Sequence, residues 1–135
     1  MNTKICPLCG SSNMIHEARL FEYKYKDHKF KIMQPADYCD ACEDGVINPE
    51  DRKSVQLVLQ EHKARIDGLL TPTEIKQIRE KILKINRKKA SEIFGGGINA
   101  FSRYERGEVG ITKLLSLTLK FLNDHPENVN DFMRC

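Results

Sequence analysis

The chain has 135 residues, of which 40% are hydrophobic and 30% are charged, and it carries a formal net charge of +3. This length fits one or two small domains, and this composition is typical of a soluble globular protein. No apolar run approaches the ~20 residues that a membrane-spanning helix needs. The first ten residues, MNTKICPLCG, lack the apolar core of a signal peptide, so a cytoplasmic location is expected.

Charge is divided unevenly along the chain. Residues 1–68 hold ten basic and 11 acidic residues, whereas residues 69–135 hold 12 basic and eight acidic residues. The segment from Lys76 to Lys89 alone contains seven basic residues and one acidic residue. Such a segment attracts a polyanion such as nucleic acid, although a solvated helix face gives the same pattern.

Four cysteines form two C-x2-C pairs, Cys6 with Cys9 and Cys39 with Cys42. Because no export signal is present, metal binding is favoured over disulfide formation. Each pair suits one edge of a tetrahedron, and four protein thiolates leave no open position, which predicts a structural Zn²⁺ site. A redox dithiol and an iron–sulfur cluster are the alternatives. The remaining cysteine and three histidines are given no role in this site: Cys135, His16, His28 and His62.

Residues 19–34, between the cysteine pairs, alternate aromatic with charged side chains. Phe21, Tyr23 and Tyr25 fall on one face of a strand, with lysines on the other face. The alternation resumes at Phe30 after a polar turn near Asp27. This pattern predicts a β-hairpin that returns the chain to its start and places the two cysteine pairs side by side.

A helix is predicted over residues 49–66, joining the two halves of the chain. Asn48 suits the N-cap, Pro49 suits the first helical position, and Gly68 is a suitable stop. Four more helices are predicted after it. The motif TPTE forms a capping box for the first, Asn86 caps the second, RKKASEIF, and the third runs from about Ile98 to Arg106. The fourth is ITKLLSLTLKFLNDHP, followed by a short last turn.

Three glycines separate RKKASEIF from the next helix, as the sharp turn of a helix-turn-helix requires. The first turns of the helix after such a turn enter the major groove of DNA. Asn99 and Arg103 share one face of it, and these side chains pair with adenine and guanine respectively. Phe101 and Tyr104 fall on the opposite face and are expected in the core. The candidates for phosphate contact are Ser102, Arg87, Lys88 and Lys89.

The pattern INRKKASEIFG, followed by SRYERG, resembles the repressor-type (XRE/Cro) helix-turn-helix. It has the small residue at Ser91 and the glycine at Gly95 that this family uses. It departs from the family at Arg87, where glutamine is usual, and at Gly96 and Gly97, where valine and serine are usual.

Those departures point to a narrower family. The stretch ASEIFGGGINAFSRYERG, behind the CPLC and CDAC pairs, closely resembles the MqsA antitoxins, and the resemblance covers nearly the whole chain. It implies that the zinc half neutralises an RNA-cleaving toxin, MqsR. It also implies that the second half dimerises and represses its own operon at a palindrome, with Asn99 and Arg103 as base readers. The joining helix is implied to contact phosphates, and Lys63 and Arg65 are the candidates there.

The predicted fold class is an α+β zinc-ribbon-like domain, made of a β-hairpin and a helix, joined to an all-α helix-turn-helix domain. The boundary is expected between residues 68 and 69. Four thiolates around one Zn²⁺ leave a net negative charge, which makes the first half more acidic than the second. Nucleic acid is therefore expected against the second half, leaving the zinc half for a protein partner.

The fourth helix of the second half is apolar on more than one side, and a four-helix core covers only one side. A second copy of the chain is expected to cover the rest, forming a homodimer. A return of residues 129–133 onto this helix is the alternative. The apolar residues concerned are Ile111, Leu114, Leu115, Leu117, Leu119, Phe121 and Leu122.

No catalytic set is recognisable: the sequence has no Ser–His–Asp arrangement, no G-x4-G-K-[ST] motif and no open metal site. The chain is therefore not expected to be an enzyme. Two functions remain from the sequence. One is an antitoxin that sequesters a toxin and represses transcription, and the other is a stand-alone zinc-ribbon regulator that senses metal or redox state.

Overall fold

The computed structural model describes residues 5–133, and the chain divides into two compact units. The first unit ends at Val55 and the second begins at Gln56, so the division falls inside a helix. No helix in the described part of the chain has both the length and the apolar character needed to cross a membrane.

The first unit is built on an antiparallel hairpin of strands β1, Met14–Tyr25, and β2, His28–Cys39. Lys26, with a φ of 53°, and Asp27 connect the two strands. The ladder runs as far as Met14 opposite Cys39, so it is longer than the predicted hairpin over residues 19–34. Because β2 ends at Cys39, the hairpin itself brings the second cysteine pair back to the first.

The predicted aromatic face of the hairpin is present. Tyr23 lies opposite Phe30, and their rings stack with centroids 6.1 Å apart. The rings of Phe21 and Tyr23 are 5.0 Å apart. A third strand, β3, Gly45–Val46, pairs with the end of β2 and was not predicted.

Helix α1, Pro49–Asp67, begins and ends within one residue of the prediction. The Asn48 side chain accepts a hydrogen bond from the backbone N–H of Asp51 at 2.9 Å, as an N-cap does. The start of the helix is also fixed to the sheet. His16 Nε2 lies 2.8 Å from Asp51 Oδ1, and Gln34 Nε2 donates to the Asp51 carbonyl at 3.1 Å.

The second unit is made of helices after α1. The capping box at its start is formed as predicted, with Thr71 Oγ1 accepting from the N–H of Glu74 and Glu74 Oε1 accepting from the N–H of Thr71. The Asn86 side chain caps the helix that follows it. The bounds are α2, Pro72–Gln77, continuing as a π-helical segment, Ile78–Leu83; α3, Arg87–Phe94; α4, Ala100–Arg106; α5, Lys113–Asp124; a 3₁₀ turn, Pro126–Asn128; and α6, Val129–Met133.

One core holds these helices together. Phe101 is fully buried at its centre, as expected, while Tyr104 is half-buried and meets the Phe101 ring edge-on at 5.6 Å. The final segment also returns to this core: Val129 is buried, and the Phe132 ring stacks on Phe94 at 6.0 Å. The buried members are Leu70, Ile75, Ile78, Leu83, Ala90, Phe101, Ile111, Leu119, Leu122 and Val129.

Candidate metal centre and nucleic-acid interface

The sulfur atoms of Cys6, Cys9, Cys39 and Cys42 all lie within 4.8 Å of one another. Cys6 Sγ is 3.7 Å from Cys42 Sγ, and Cys9 Sγ is 3.6 Å from Cys39 Sγ. These separations are far longer than the ~2 Å of a disulfide bond, so the thiols are free. In a tetrahedron with Zn–S bonds of ~2.3 Å the sulfurs stand ~3.8 Å apart, and these two distances are close to that value.

Tight turns hold each cysteine pair. The N–H of Gly10 donates to the Cys6 carbonyl at 2.9 Å, and the N–H of Cys6 donates to the Ser11 carbonyl at 2.7 Å. On the other side, the N–H of Cys39 donates to the Asp44 carbonyl at 2.8 Å. The two turns therefore present the four sulfurs from a backbone that is already hydrogen-bonded.

The four thiols differ in exposure and in acidity. Cys6 and Cys39 are buried, whereas Cys9 and Cys42 are exposed. The N–H of Cys42 stabilises the Cys39 thiolate and lowers the pKa of Cys39 to about 7. The N–H of Asp44 favours the Cys42 thiolate, but desolvation and the neighbouring sulfurs outweigh it and raise the pKa of Cys42 to about 12.

Four thiols at these distances do not all ionise together without a nearby cation, because each thiolate repels the others. A divalent ion removes that repulsion, so the donor set fits one tetrahedral metal ion. An iron–sulfur cluster would place several ions between the sulfurs and hold them farther apart than they are here. A short three-stranded sheet with this four-cysteine group, followed by helices, confirms the predicted fold class.

A serine links the two helices of the helix-turn-helix. Ser91 Oγ donates to the Arg87 carbonyl at 2.9 Å inside α3 and accepts from the N–H of Phe101 at 3.1 Å inside α4. Because Ser91 is buried, this bridge fixes the start of α4 against α3. A small side chain with a hydroxyl makes both bonds here, at the position where the sequence pattern places a small residue.

The glycine turn between α3 and α4 has backbone angles that other residues rarely adopt. Gly95, Gly96 and Gly97 have φ values of 81°, 96° and 100°. A Cβ at Gly96 would lie 3.0 Å from both Ala100 Cβ and Tyr104 Oη. All three positions therefore have a backbone conformation that favours glycine, and at Gly96 a side chain would also contact its neighbours.

The two predicted base readers both lie on the surface at the start of α4. Asn99 is the exposed N-cap residue, and its side chain makes no capping hydrogen bond. Its carbonyl accepts from the N–H of Arg103 at 3.0 Å, so the two residues are one turn apart. The Arg103 side chain is 50% exposed, and its Nε lies 3.8 Å from Glu108 Oε2. Ser102, in the same helix, is half-buried.

The phosphate candidates at the start of α3 are also on the surface, and one of them is tied to the core. Arg87 Nε lies 3.4 Å from Glu105 Oε1, while its side chain remains 46% exposed. Glu105 is buried and receives two further hydrogen bonds from Arg79, at 2.8 and 3.0 Å. This carboxylate raises the pKa of Arg79. Lys88 and Lys89 are exposed.

Sequence reasoning missed the pair formed by Arg79 and Glu105. The sequence did carry a signal, a charged residue on the apolar face of each helix. Arg79 follows Ile78, and Glu105 lies on the same face as Phe101 and Tyr104. The joining-helix candidates lie on α1: Arg65 is exposed, with Nη2 3.5 Å from Glu61 Oε2, and Lys63 is half-buried.

Comparison with known proteins gives the class of this arrangement. Residues 4–133 match a family described as the antitoxin component of a bacterial toxin–antitoxin system, MqsA. This chain, with its four-cysteine unit and its helix-turn-helix unit, thus has the class of an antitoxin. An antitoxin is a regulatory protein rather than an enzyme. The chain is 32% identical over 128 residues to Antitoxin MqsA of Escherichia coli (strain K12), covering 93% of this chain and 97% of that protein. The chain therefore belongs to the MqsA antitoxin family, as its resemblance predicts.

Proposed function

We propose that this antitoxin neutralises an MqsR-like mRNA-cleaving toxin in the cytoplasm and represses transcription at palindromic operator DNA. Residues 1–68 form the zinc-binding and toxin-binding domain with the joining helix, and residues 69–135 form the domain that binds DNA and dimerises. Membership of an antitoxin family supports the toxin partner. The observation that carries the DNA-binding part is the pair of exposed side chains at the start of α4, Asn99 and Arg103.

Both side chains have the chemistry that base reading needs. An Asn99 side chain that makes no capping bond keeps its amide available for an adenine edge, and Arg103 presents a guanidinium suited to guanine. Arg87, Lys88 and Ser102 would contact phosphates, which set the position of the helix but carry no sequence information. Lys63 and Arg65 on α1 would add to these backbone contacts.

Zn²⁺ is the metal proposed for Cys6, Cys9, Cys39 and Cys42. Four thiolates complete its tetrahedral shell and leave no position for substrate, so its role is structural. Apart from its cysteines, the described part of the first unit buries only four hydrophobic side chains, Ile32, Ala36, Tyr38 and Val55, so metal binding supplies much of its folding free energy.

A homodimer is supported by one face of α5. Leu114, Leu117 and Phe121 are 77%, 52% and 46% exposed and recur at helical spacing, although the final segment has returned to the core. A second copy of the chain would cover this stripe. Two-fold symmetry would then place two recognition helices in successive major grooves, ~34 Å apart, which matches a palindrome.

The first experiment is co-expression of the zinc-loaded chain with an MqsR-type toxin, followed by purification and a growth assay. A stable complex that restores growth is expected, and Arg103→Ala should leave it intact. Cys9→Ser with Cys42→Ser should lose it, because two ligands are removed. Failure of the unaltered chain to bind the toxin or restore growth would refute the antitoxin proposal.

The second experiment selects a duplex from random DNA with the full-length protein and measures its affinity. A palindromic site is expected, and Asn99→Ala should lose affinity for it. Recovery of no preferred sequence would refute the repressor part alone.

The exposure of Cys9 and Cys42 favours a second candidate function, a stand-alone regulator that senses metal or redox state. Exposed ligands are open to chelators and oxidants. This candidate requires that mild zinc removal abolishes DNA binding and that no toxin partner is recovered. DNA binding that survives zinc removal would exclude it.

A further inference from the structure

Ile98 has an exposure that the fold does not explain. It is 81% exposed, more than any other large hydrophobic residue in the described chain. It neither joins the core cluster of the second unit nor packs against it. It also directly precedes Asn99, the first proposed base reader. An aliphatic side chain in water at the start of a recognition helix is a candidate for contact with a ligand.

The backbone holds Ile98 at a fixed corner. The N–H of Ala100 donates to the Gly97 carbonyl at 3.2 Å, so Ile98 and Asn99 are the two central residues of a tight turn. Asn99 has φ −107° and ψ 18°, which suits the second central position. A Cβ placed on Gly97 would meet nothing within 4 Å, so the surface beside Ile98 is open. Because isoleucine is branched at Cβ, its χ1 is restricted, and little side-chain freedom is lost on contact.

We propose that Ile98 is a specificity-determining residue that packs on the 5-methyl group of a thymine beside the adenine contacted by Asn99. This inference rests on the proposed DNA-binding function. The thymine methyl is the apolar group that the major groove displays, and apolar side chains contact it. A phosphate group is charged and gives an aliphatic side chain no apolar surface to pack on, so the methyl group on the base edge is the better contact. Gly96 and Gly97 carry no side chains that would keep the duplex away from this corner.

The test replaces single thymines of the selected operator by uracil, which removes the methyl group and keeps base pairing. The zinc-loaded full-length protein should lose affinity about fourfold at one thymine in each half-site, as expected for one buried methyl group. The Ile98→Ala variant should bind the normal operator about as weakly as the unaltered protein binds the uracil-substituted operator. Uracil replacement should not weaken the variant further. Ile98→Val should retain discrimination between thymine and uracil.

Leu20→Ala is the matched control, because Leu20 is another exposed aliphatic residue, 68% exposed, on β1 of the first unit. It should leave operator affinity and uracil discrimination unchanged. If uracil replacement weakens the Ile98→Ala variant as much as the unaltered protein, the inference is overturned. It is also overturned if Ile98→Ala weakens the toxin complex and not DNA binding, since Ile98 would then face a protein. Absence of any sequence-specific binding by the unaltered protein would instead refute the proposed function.

Discussion

The buried Glu105 carboxylate links two arginines on either side of it in the second unit. Its side chain is 1% exposed, and it joins Arg79, before the turn, to Arg87, at the start of α3. A buried ion pair is weak evidence for net stability, but removing one partner leaves the other charge buried without compensation. Glu105 therefore determines both the packing of α4 and the position of Arg87.

Glu105→Ala is expected to lower the free energy of unfolding of the second unit by about 3–5 kcal/mol. Urea titration followed by helical circular dichroism measures this. Glu92→Ala is the control, because Glu92 is exposed on α3 and its loss should change stability by less than about 0.5 kcal/mol. Equal effects of the two substitutions would show that the buried pair contributes nothing specific.

Arg103→Ala is expected to cost about 1–3 kcal/mol of operator affinity and to relax the preference at one base pair. Lys88→Ala provides the contrast: it should weaken binding to all sequences alike and reduce the dependence on salt. Titrations of specific and unrelated duplexes at several salt concentrations separate the two behaviours. If Arg103→Ala leaves the affinity for every duplex unchanged, Arg103 is not a base reader.

Glu108 lies beside two arginines, with oxygens 3.8 Å from Arg103 Nε and 3.3 Å from Arg106 Nη2. A carboxylate this close competes with DNA for the same cations. Glu108→Gln is expected to tighten binding to unrelated duplexes, with Glu127→Gln as a control on the exposed turn before α6. Weaker operator binding instead would mean that Glu108 orients Arg103.

At the residue scale, the sequence predicted the exposure of single side chains better than the contacts that they make across the fold. Asn99 and Arg103 follow from the position of the turn, because helical spacing places them on one face. The Arg79–Glu105 pair does not follow, since a partner across 26 residues has no local signature. Only the fold brings the two together.

At the scale of elements, the end of α4 approaches the backbone of α1 closely. Gly107 ends α4 with φ 78°, and a Cβ there would lie 2.9 Å from Leu57 Cα and 3.0 Å from the Gln56 carbonyl oxygen. Gln56 Nε2 also donates to the Arg106 carbonyl at 3.2 Å. Backbone atoms cannot move aside as a flexible side chain can, so this glycine sets the distance between the two helices.

Gly107→Ala is therefore expected to destabilise the second unit by about 2–4 kcal/mol, combining a left-handed φ with a backbone clash. Gly68→Ala is the matched control: its φ is 72°, but nothing lies within 4 Å of its Cβ position. It should cost about 1 kcal/mol. Similar losses in thermal unfolding would show that conformation, rather than contact, governs both sites.

The exposed stripe of α5 gives a prediction about assembly. Leu117→Glu is expected to dissociate the proposed dimer and to lower operator affinity at least tenfold, because half-site contacts no longer reinforce each other. Sedimentation measures the mass. Asn123→Glu adds the same charge to an exposed position of the same helix and should leave the dimer intact. A monomeric unaltered protein with full operator affinity would contradict this role of the stripe.

The elements were predictable where the sequence carries a repeating pattern or a cap. The hairpin follows from alternation, and the starts of α2 and α3 follow from TPTE and Asn86. Strand β3 has two residues, too few to show a period, and it forms because β2 offers an edge beside it. The π-helical turn over Ile78–Leu83 keeps an apolar spacing close to that of an α-helix, so periodicity cannot reveal it.

For the whole molecule, the two units differ in what stabilises them. The second unit has a continuous apolar core, whereas the described part of the first unit closes around four sulfurs and a few buried side chains. Zinc removal is therefore expected to unfold the first unit and abolish toxin binding while DNA binding persists. Chelation followed by circular dichroism and both binding assays tests this. Loss of both activities together would contradict independent folding of the two units.

Metal binding by the four thiols should also depend on pH. The pKa is raised for Cys9 and raised to about 12 for Cys42, so both thiols are protonated near neutral pH in the absence of metal. Zinc loading must displace at least those two protons, so the logarithm of the affinity should rise by at least two per pH unit between pH 7 and 8, and acid should release the ion. Competition with a chromophoric chelator at several pH values measures the slope. A flat profile would mean that other ligands hold the metal.

The glycine turn before α4 also bears on how this protein diverges over generations. Any single-nucleotide missense change in codons 95–97 adds a side chain where φ lies between 81° and 100°, and at Gly96 that side chain would also meet Ala100 and Tyr104, so substitutions in the turn should be poorly tolerated. Positions 98, 99 and 103 have no positive φ, and their side chains are exposed, so they lack this restriction. If the proposed base readers bind DNA, a lineage can therefore change the bases that the protein recognises while inheriting the scaffold that presents these side chains.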